Sequence, residues 1–297
     1  MRQTGNGKRI GFIDYDLNNF HADVFLEAIR GPLASRGFDV AGATALQHEP
    51  SAKWADTNAV RYFESVDALD EAVDIYMILA PSHPQVHMEL CNRVFPKGKT
   101  TYVDKSFAPD LVTAKRIFAL ADHHGVQVQT SSALRYTRVQ QVVSQSDLPV
   151  RNMAVWAGGT TFEEYGIHPI ELVVSCMGAG PLSVMSVGDE RHPQITIKFT
   201  HGRTAMVDFN IGNHVPYAAA ITTTKQTDFV TVDTDSLFVD TARAILEFFQ
   251  SDRPLVDRKQ SLAVRAILDG ISNPQARSRF VSLDKTAASE LTGPVAV

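Results

Sequence analysis

Apolar residues along this chain keep one rhythm up to about residue 133 and another beyond it. In the first part, short apolar runs alternate with amphipathic stretches of helical period. Residues 8–13 form one such run, and Val24, Phe25, Ala28, Ile29 and Leu33 mark one face of a helix over 20–35. A short strand is expected at 38–43, a short helix at 50–58 and a helical turn at 65–70. Residues 75–80 are apolar at successive positions, which suits a strand covered on both faces, as in a parallel sheet. Pro81 ends that run, and Val86, Leu90 and Val94 place a helix before a strand at 100–103. Residues 111–124 form an amphipathic helix closed by Gly125, a residue type favoured just past a helix end, and 126–129 returns as a strand. Repeated strand–helix units predict an open, doubly wound parallel sheet.

Beyond residue 134 the pattern changes to consecutive strands at 152–156, 182–187, 194–200, 204–211 and 218–224. Turns fall at Gly180-Pro181, His201-Gly202 and Gly212-Asn213, which predicts a mainly antiparallel sheet. Strand 204–211 sets Ala205, Val207, Phe209 and Ile211 against Thr204, Met206, Asp208 and Asn210. Strand 194–200 likewise sets Ile195, Ile197 and Phe199 against Gln194, Thr196, Lys198 and Thr200. The apolar sets should face the domain's own helices and the polar sets an open face. Two helices, 238–250 and 259–273, follow. The fold class is therefore α/β. Residues 1–133 form a Rossmann-type doubly wound parallel sheet, and 134–297 an α+β domain with an open, mainly antiparallel sheet.

Composition narrows the partners. The 297 residues carry a net charge of −5 and no basic stripe with interleaved aromatics, so nucleic acid is not an expected partner. Cys91 and Cys176 lie in separate apolar patterns without metal or redox spacing and read as buried thiols of a reducing compartment. The first eight residues lack an apolar signal core, and no apolar stretch is long enough to span a membrane, so a cytoplasmic location is expected.

The loop after the first strand carries the sharpest conflict. In a dinucleotide-binding unit, glycines there let the backbone approach a pyrophosphate at a helix N-terminus. Their three places here are Asp14, Asp16 and Asn19. Two carboxylates would face a dianion, and like charges about 4 Å apart repel by about 1 kcal/mol in water, more in a partly dry cleft. The alternatives are that Asp14 and Asp16 bond backbone amides and cap the next helix, or bind a hydroxylated or cationic ligand. With Asn18 and His21 they form a polar group at the loop mouth. His83 and His87 have a spacing that can hold a metal when a third ligand converges, yet no metal is expected.

Three segments carry a family likeness: Ala80-Pro81-Ser82-His83-Pro84-Gln85-Val86-His87, Val103-Asp104-Lys105-Ser106, and Gly158 through Glu171 with Glu164-Tyr165-Gly166-Ile167-His168 at its centre. Together with the domain order and a tail of Phe248-Phe249, Arg253-Pro254-Leu255-Val256 and Phe280-Val281-Ser282-Leu283, they resemble the Gfo/Idh/MocA family of glucose–fructose oxidoreductase, inositol dehydrogenase and relatives. The resemblance implies an N-terminal Rossmann domain, an open antiparallel sheet and a nicotinamide cofactor, NAD or NADP. The family's Glu-Lys-Pro appears as Asp104-Lys105-Ser106, and its Asp-x-x-x-His as Glu164-x-x-x-His168. Lys105 and His168 would then flank a substrate carbinol and take its proton as hydride leaves, while Glu164 orients the substrate or the imidazole. Tyr165 and Glu171 would line the substrate, with Glu171 supporting His168 from the same helical face. Asp14, Asp16, Asn19, Pro81, Ser82, His83 and Asp104 occupy the cofactor places. The acid expected after the second strand is replaced by Ala43-Thr44-Ala45-Leu46.

The expected function is oxidation or reduction of a carbohydrate or polyol, in a homodimer or homotetramer joined through the open sheet face. Two alternatives stay open: a non-redox isomerase, lyase or lactone hydrolase on a sugar derivative, and a sugar-binding sensor.

Overall fold

The computed structural model describes residues 7–213 and 215–283. Residues 1–6, within the segment read as lacking a signal core, lie outside them. In chain order the elements are β1 (Arg9–Asp14), α1 (Phe20–Arg30), β2 (Asp39–Ala45), α2 (His48–Thr57), α3 (Val66–Asp70), β3 (Ile75–Ile78), α4 (His87–Val94), β4 (Thr101–Val103), α5 (Leu111–His123) and β5 (Val128–Gln129). They continue as α6 (Arg138–Ser144), β6 (Asn152–Gly159), α7 (Phe162–Tyr165), α8 (Ile167–Met177), β7 (Pro181–Gly188), β8 (Pro193–Phe199), β9 (Thr204–Ile211), β10 (Ala218–Thr222) and β11 (Thr227–Thr231). The last are α9 (Leu237–Ser251), α10 (Arg258–Ser272) and β12 (Val281–Ser282).

The first unit runs to Ser131 and takes back Phe238–Val256. Its five strands are parallel in the order β2-β1-β3-β4-β5, the doubly wound arrangement the strand–helix repeat predicts. Every residue of β3 is buried, as its unbroken apolar run requires. The return of α9 departs from a division at residue 133. Ala242, Ile245, Leu246, Phe248 and Phe249 share one core with Ile10, Phe12, Phe25 and Met77, so hydrophobic burial assigns that helix to the parallel sheet. Helix α1 is shorter than its pattern suggests, because Gly31 closes it and Ala34–Arg36 winds as a separate 3-10 turn.

The second unit holds Ser132–Leu237 and residues 257–283. Its seven strands lie in the order β11-β10-β6-β9-β8-β7-β12. The β6–β9 pair is parallel and the other pairs are antiparallel. The predicted faces hold: Ala205, Val207, Phe209, Ile195, Ile197 and Phe199 are buried, and they cluster with Ile170, Val174, Val264 and Ile267 of α8 and α10. Strand β11 and helix α6 had no clear signal. Strand β11 keeps only Val230 buried, too few inward positions for an alternation to register.

Candidate active site

The carboxyl ends of β1, β3 and β4 set the first group of side chains. Asp14 ends β1 and is buried at 1% exposure, not open to the loop mouth. Its Oδ1 accepts the backbone N–H groups of Tyr15 (2.7 Å), Asp16 (3.3 Å) and Ala80 (3.0 Å), and its Oδ2 accepts Asn19 Nδ2 (2.9 Å). Burial pushes its carboxyl up to about 7, against the pull of those four donors. Asp16 accepts the Asn18 amide and lies at the limit of a bond from Ser51 Oγ. Helix α1 is capped by Asn19, whose Oδ1 accepts from the amides of His21 and Ala22. The reading in which the two aspartates bond backbone amides is therefore the one observed, with capping passed to Asn19.

These bonds test whether a dinucleotide fits. Its pyrophosphate would take backbone N–H groups of the β1 loop and the first turn of α1. Here the Tyr15 and Asp16 amides already point at Asp14, and those of His21 and Ala22 at Asn19. Strand β2 ends on Ala45, without a carboxylate for ribose hydroxyls. The ring of Tyr15 stacks on His83 with centroids 4.2 Å apart. The residues present do not fit a pyrophosphate in the usual pose, and the reason is steric and hydrogen-bonding as much as the charge repulsion expected from the sequence.

Asp104 and Lys105 follow β4. Asp104 Oδ1 accepts the Lys105 amide at 2.8 Å, and its Oδ2 lies 2.5 Å from His21 Nδ1. Lys105 is buried at 6% exposure, and its Nζ donates to the Pro81 carbonyl at 3.2 Å. The peptide between Lys105 and Ser106 is cis. Ser82 and His83 lie beside Pro81 in the turn after β3. His87 turns both ring nitrogens to backbone oxygens, of Phe107 and Leu79, and burial lowers its pKa. It is a structural histidine. Among the described residues, no three His, Cys, Asp or Glu side chains converge on a metal site.

In the second unit, α8 presents His168 and Glu171 on one face to the turn Ala133–Arg135. Ser132 Oγ lies 2.7 Å from His168 Nδ1, and Arg135 Nε donates to Glu171 at 2.5 Å. The two pairs form parallel rungs, since both segments step by three residues. Glu171 thus supports Arg135, not His168 as its helical spacing suggests. Ser132 takes that role, with Tyr165 and Tyr217 ringing the imidazole at centroid distances of 6.0 and 6.4 Å. Burial and the neighbouring Tyr165 push the Tyr217 hydroxyl up to about 12. Glu164 stands exposed on α7, four residues before His168. Ser132, Arg135 and Tyr217 escaped the sequence reading because nothing near them in sequence marks them.

Arg135 also donates Nη1 to Gln260 Oε1, and the Arg135 and Glu171 side chains are 10% and 5% exposed. Removing one partner leaves an uncompensated buried charge, so Glu171→Ala should cost about 3–5 kcal/mol in denaturant unfolding. A loss below about 1 kcal/mol would mean the pair behaves as a solvated surface bridge.

Comparisons with known proteins agree with the fold. Residues 18–132 match the Gfo/Idh/MocA model, described as an oxidoreductase family with an NAD-binding Rossmann fold. The match begins beyond Asp14 and Asp16. An uncharacterized oxidoreductase of Escherichia coli K12, YhhX, is 30% identical over 69 residues, which span 23% of this chain and 20% of that protein. GenD2 from gentamicin A biosynthesis, solved with NAD, superposes with a TM-score of 0.79 at 14% identity, covering 96% of this chain and 99% of its own. A putative myo-inositol dehydrogenase from Sinorhizobium meliloti gives 0.77 at 13% identity, covering 93% and 99%. UDP-N-acetylglucosamine 3-dehydrogenase from Acidithiobacillus ferrooxidans gives 0.74 at 17% identity, covering 90% and 97%.

Proposed function

We infer that this chain, whose Rossmann unit is of the Gfo/Idh/MocA oxidoreductase family, acts on a carbinol or carbonyl of a carbohydrate or polyol, with Lys105 and His168 moving the proton. The observation that carries this reading is the fixed imidazole of His168: Ser132 sets its plane, and two tyrosines surround it. A proton-transfer group must be held within about 3 Å of the proton it moves, and such orientation is what the Ser132 bond supplies. Lys105 is the second group, its ammonium steadied on the Pro81 carbonyl. Tyr165 and Glu164 are the candidates for substrate hydroxyls, whereas Glu171 acts through Arg135. Similarity in fold to dehydrogenases of inositol and of a nucleotide sugar supports the substrate class.

Hydride exchange with NAD or NADP is the chemistry of the family. It requires a pose in which the pyrophosphate avoids the β1 loop. One observation favours a second reading, non-redox chemistry on a sugar derivative: Asp14 already takes the Tyr15 and Asp16 amides of the β1 loop. Calorimetric titration with NAD, NADH, NADP and NADPH, followed by a screen of sugars and polyols for turnover, separates the two. Saturable binding with coupled reduction or oxidation supports the first; turnover with no nucleotide effect supports the second.

The open face of the second unit's sheet carries Met206, Asp208, Trp156 and Thr196, all half-buried, and Phe229 at 78% exposure. We propose that two or four copies join through it. Light scattering at micromolar concentration should give a multiple of 32.6 kDa; the single-chain mass rejects the pairing.

A further inference from the structure

The His21–Asp104 contact belongs to neither proton-transfer residue above. His21 is the second residue of α1 and Asp104 follows β4, so both lie at the carboxyl edge of the parallel sheet, where open α/β sheets bind their ligands. The His21 side chain is 11% exposed and Asp104 2%, and Nδ1 and Oδ2 are 2.5 Å apart. The second oxygen of Asp104 accepts the Lys105 amide and lies 3.4 Å from the Tyr102 hydroxyl. The carboxylate is therefore held from two sides. Phe25 and Phe238 set their rings edge-on to the imidazole, as does Phe20, which is 60% exposed.

A ring tied through Nδ1 to a carboxylate offers Nε2 to whatever lies beyond it. Among the described residues Nε2 meets no hydrogen-bond partner, and the buried orphans there are only Gln129 Nε2 and Arg135 Nη2. His21 Nε2 therefore keeps contact with solvent. A histidine serving only as a tether between α1 and β4 would have no need to keep that atom open beside an apolar shelf.

We propose that His21 and Asp104 form a second acid–base dyad in which His21 Nε2 exchanges a proton with a hydroxyl of a neutral sugar or polyol. The Nδ1–H stays on the ring and is bonded to Asp104. The ligand O–H bond breaks as the Nε2–H bond forms, and the carboxylate stabilises the imidazolium until the proton returns. Asp104 is a positioning residue: it fixes the ring and, through the Lys105 amide, the backbone that carries the lysine. The ligand class rests on the function proposed above; the geometry of the dyad does not.

The test is carbethoxylation of the wild-type protein with diethyl pyrocarbonate, read site by site by mass spectrometry, alone and with myo-inositol, D-glucose or D-mannitol. His21 should react, and at least one polyol should slow it by about fivefold or more, since a bound ligand blocks the nitrogen it touches. Asp104→Asn should slow the reaction of His21 by about tenfold by releasing the ring from its tautomer. Because that variant can also loosen the fold, ¹⁵N-imidazole spectra of the wild type provide a second reading. A neutral ring protonated on Nδ1, with Nε2 shifted by the polyol, is expected. Protection of His168 but not His21 overturns the dyad and leaves the substrate class standing. Protection of neither overturns both the dyad and the substrate class. A His21 ring protonated on Nε2 and unmoved by the polyol overturns the dyad alone.

Discussion

Asp14→Gly should tighten the binding of NADH by about tenfold or more. The substitution removes the carboxylate that gathers the amides of Tyr15 and Asp16 and gives those two loop donors back to a phosphate. Hydrogen bonds to a charged group contribute about 1.5–3 kcal/mol each, so one recovered bond is worth a factor of ten. Asp16 makes fewer contacts and is partly exposed, so adding Asp16→Gly should give less than the first change. Low-micromolar NADH binding by the wild type, unimproved in either variant, would reject the idea that this loop excludes pyrophosphate. Asp14→Asn is the milder control, because its carbonyl can keep the three backbone donors.

The same carboxyl gives a pH signature. Its pKa rises on folding from 3.8 to about 7, so the folded chain holds this proton more tightly than the unfolded one. The stability it contributes is full below the unfolded value and is lost as pH rises through about 7. The stability of Asp14→Asn relative to wild type should therefore be greater at about pH 8 than at about pH 5. An unchanged difference between the two pH values would mean that the four donors, not burial, govern this group.

Lys105→Met and His168→Ala should each lower turnover by about 10²–10⁴-fold, the usual worth of a positioned proton-transfer group. Methionine nearly matches the lysine in length and suits a site that is 6% exposed, so the fold should survive the first change. His168 is half-buried against Tyr165 and Tyr217, and its loss removes one bond to Ser132, a modest cost for the second unit. Steady-state kinetics on the substrate found in the polyol screen decide the point, with circular dichroism to check folding. A variant that keeps more than about a tenth of the wild-type rate has not lost its acid or base. Ser132→Ala should fall between, because the ring stays but its plane is released.

Local order was legible in the sequence because it depends on residues a few positions apart. The unbroken apolar run of β3, the alternation in β8 and β9 and the amphipathic face of α5 each name their element and its buried side without reference to the rest of the chain. The lysine after β4 and the histidine of α8 were visible through motifs of the same short range. What the motifs left open is how those groups are held. His168 is set by a serine 36 residues away, Glu171 is taken by an arginine 36 residues away, and Asp104 meets a histidine 83 residues away. No periodicity encodes such partners, because packing of separate elements chooses them. Asp14 shows the same division. Its presence in a glycine place could be read directly, and charge repulsion followed from it. That its carboxylate is turned inward, to satisfy amides from its own loop and from the turn after β3, was decided by the parallel sheet that brings the ends of β1 and β3 side by side. The sequence by itself determined the two domain types and pointed to the residues proposed here to carry chemistry. Tertiary packing decided which atoms those residues offer to a ligand, because a buried polar group must find its partner wherever the fold places one.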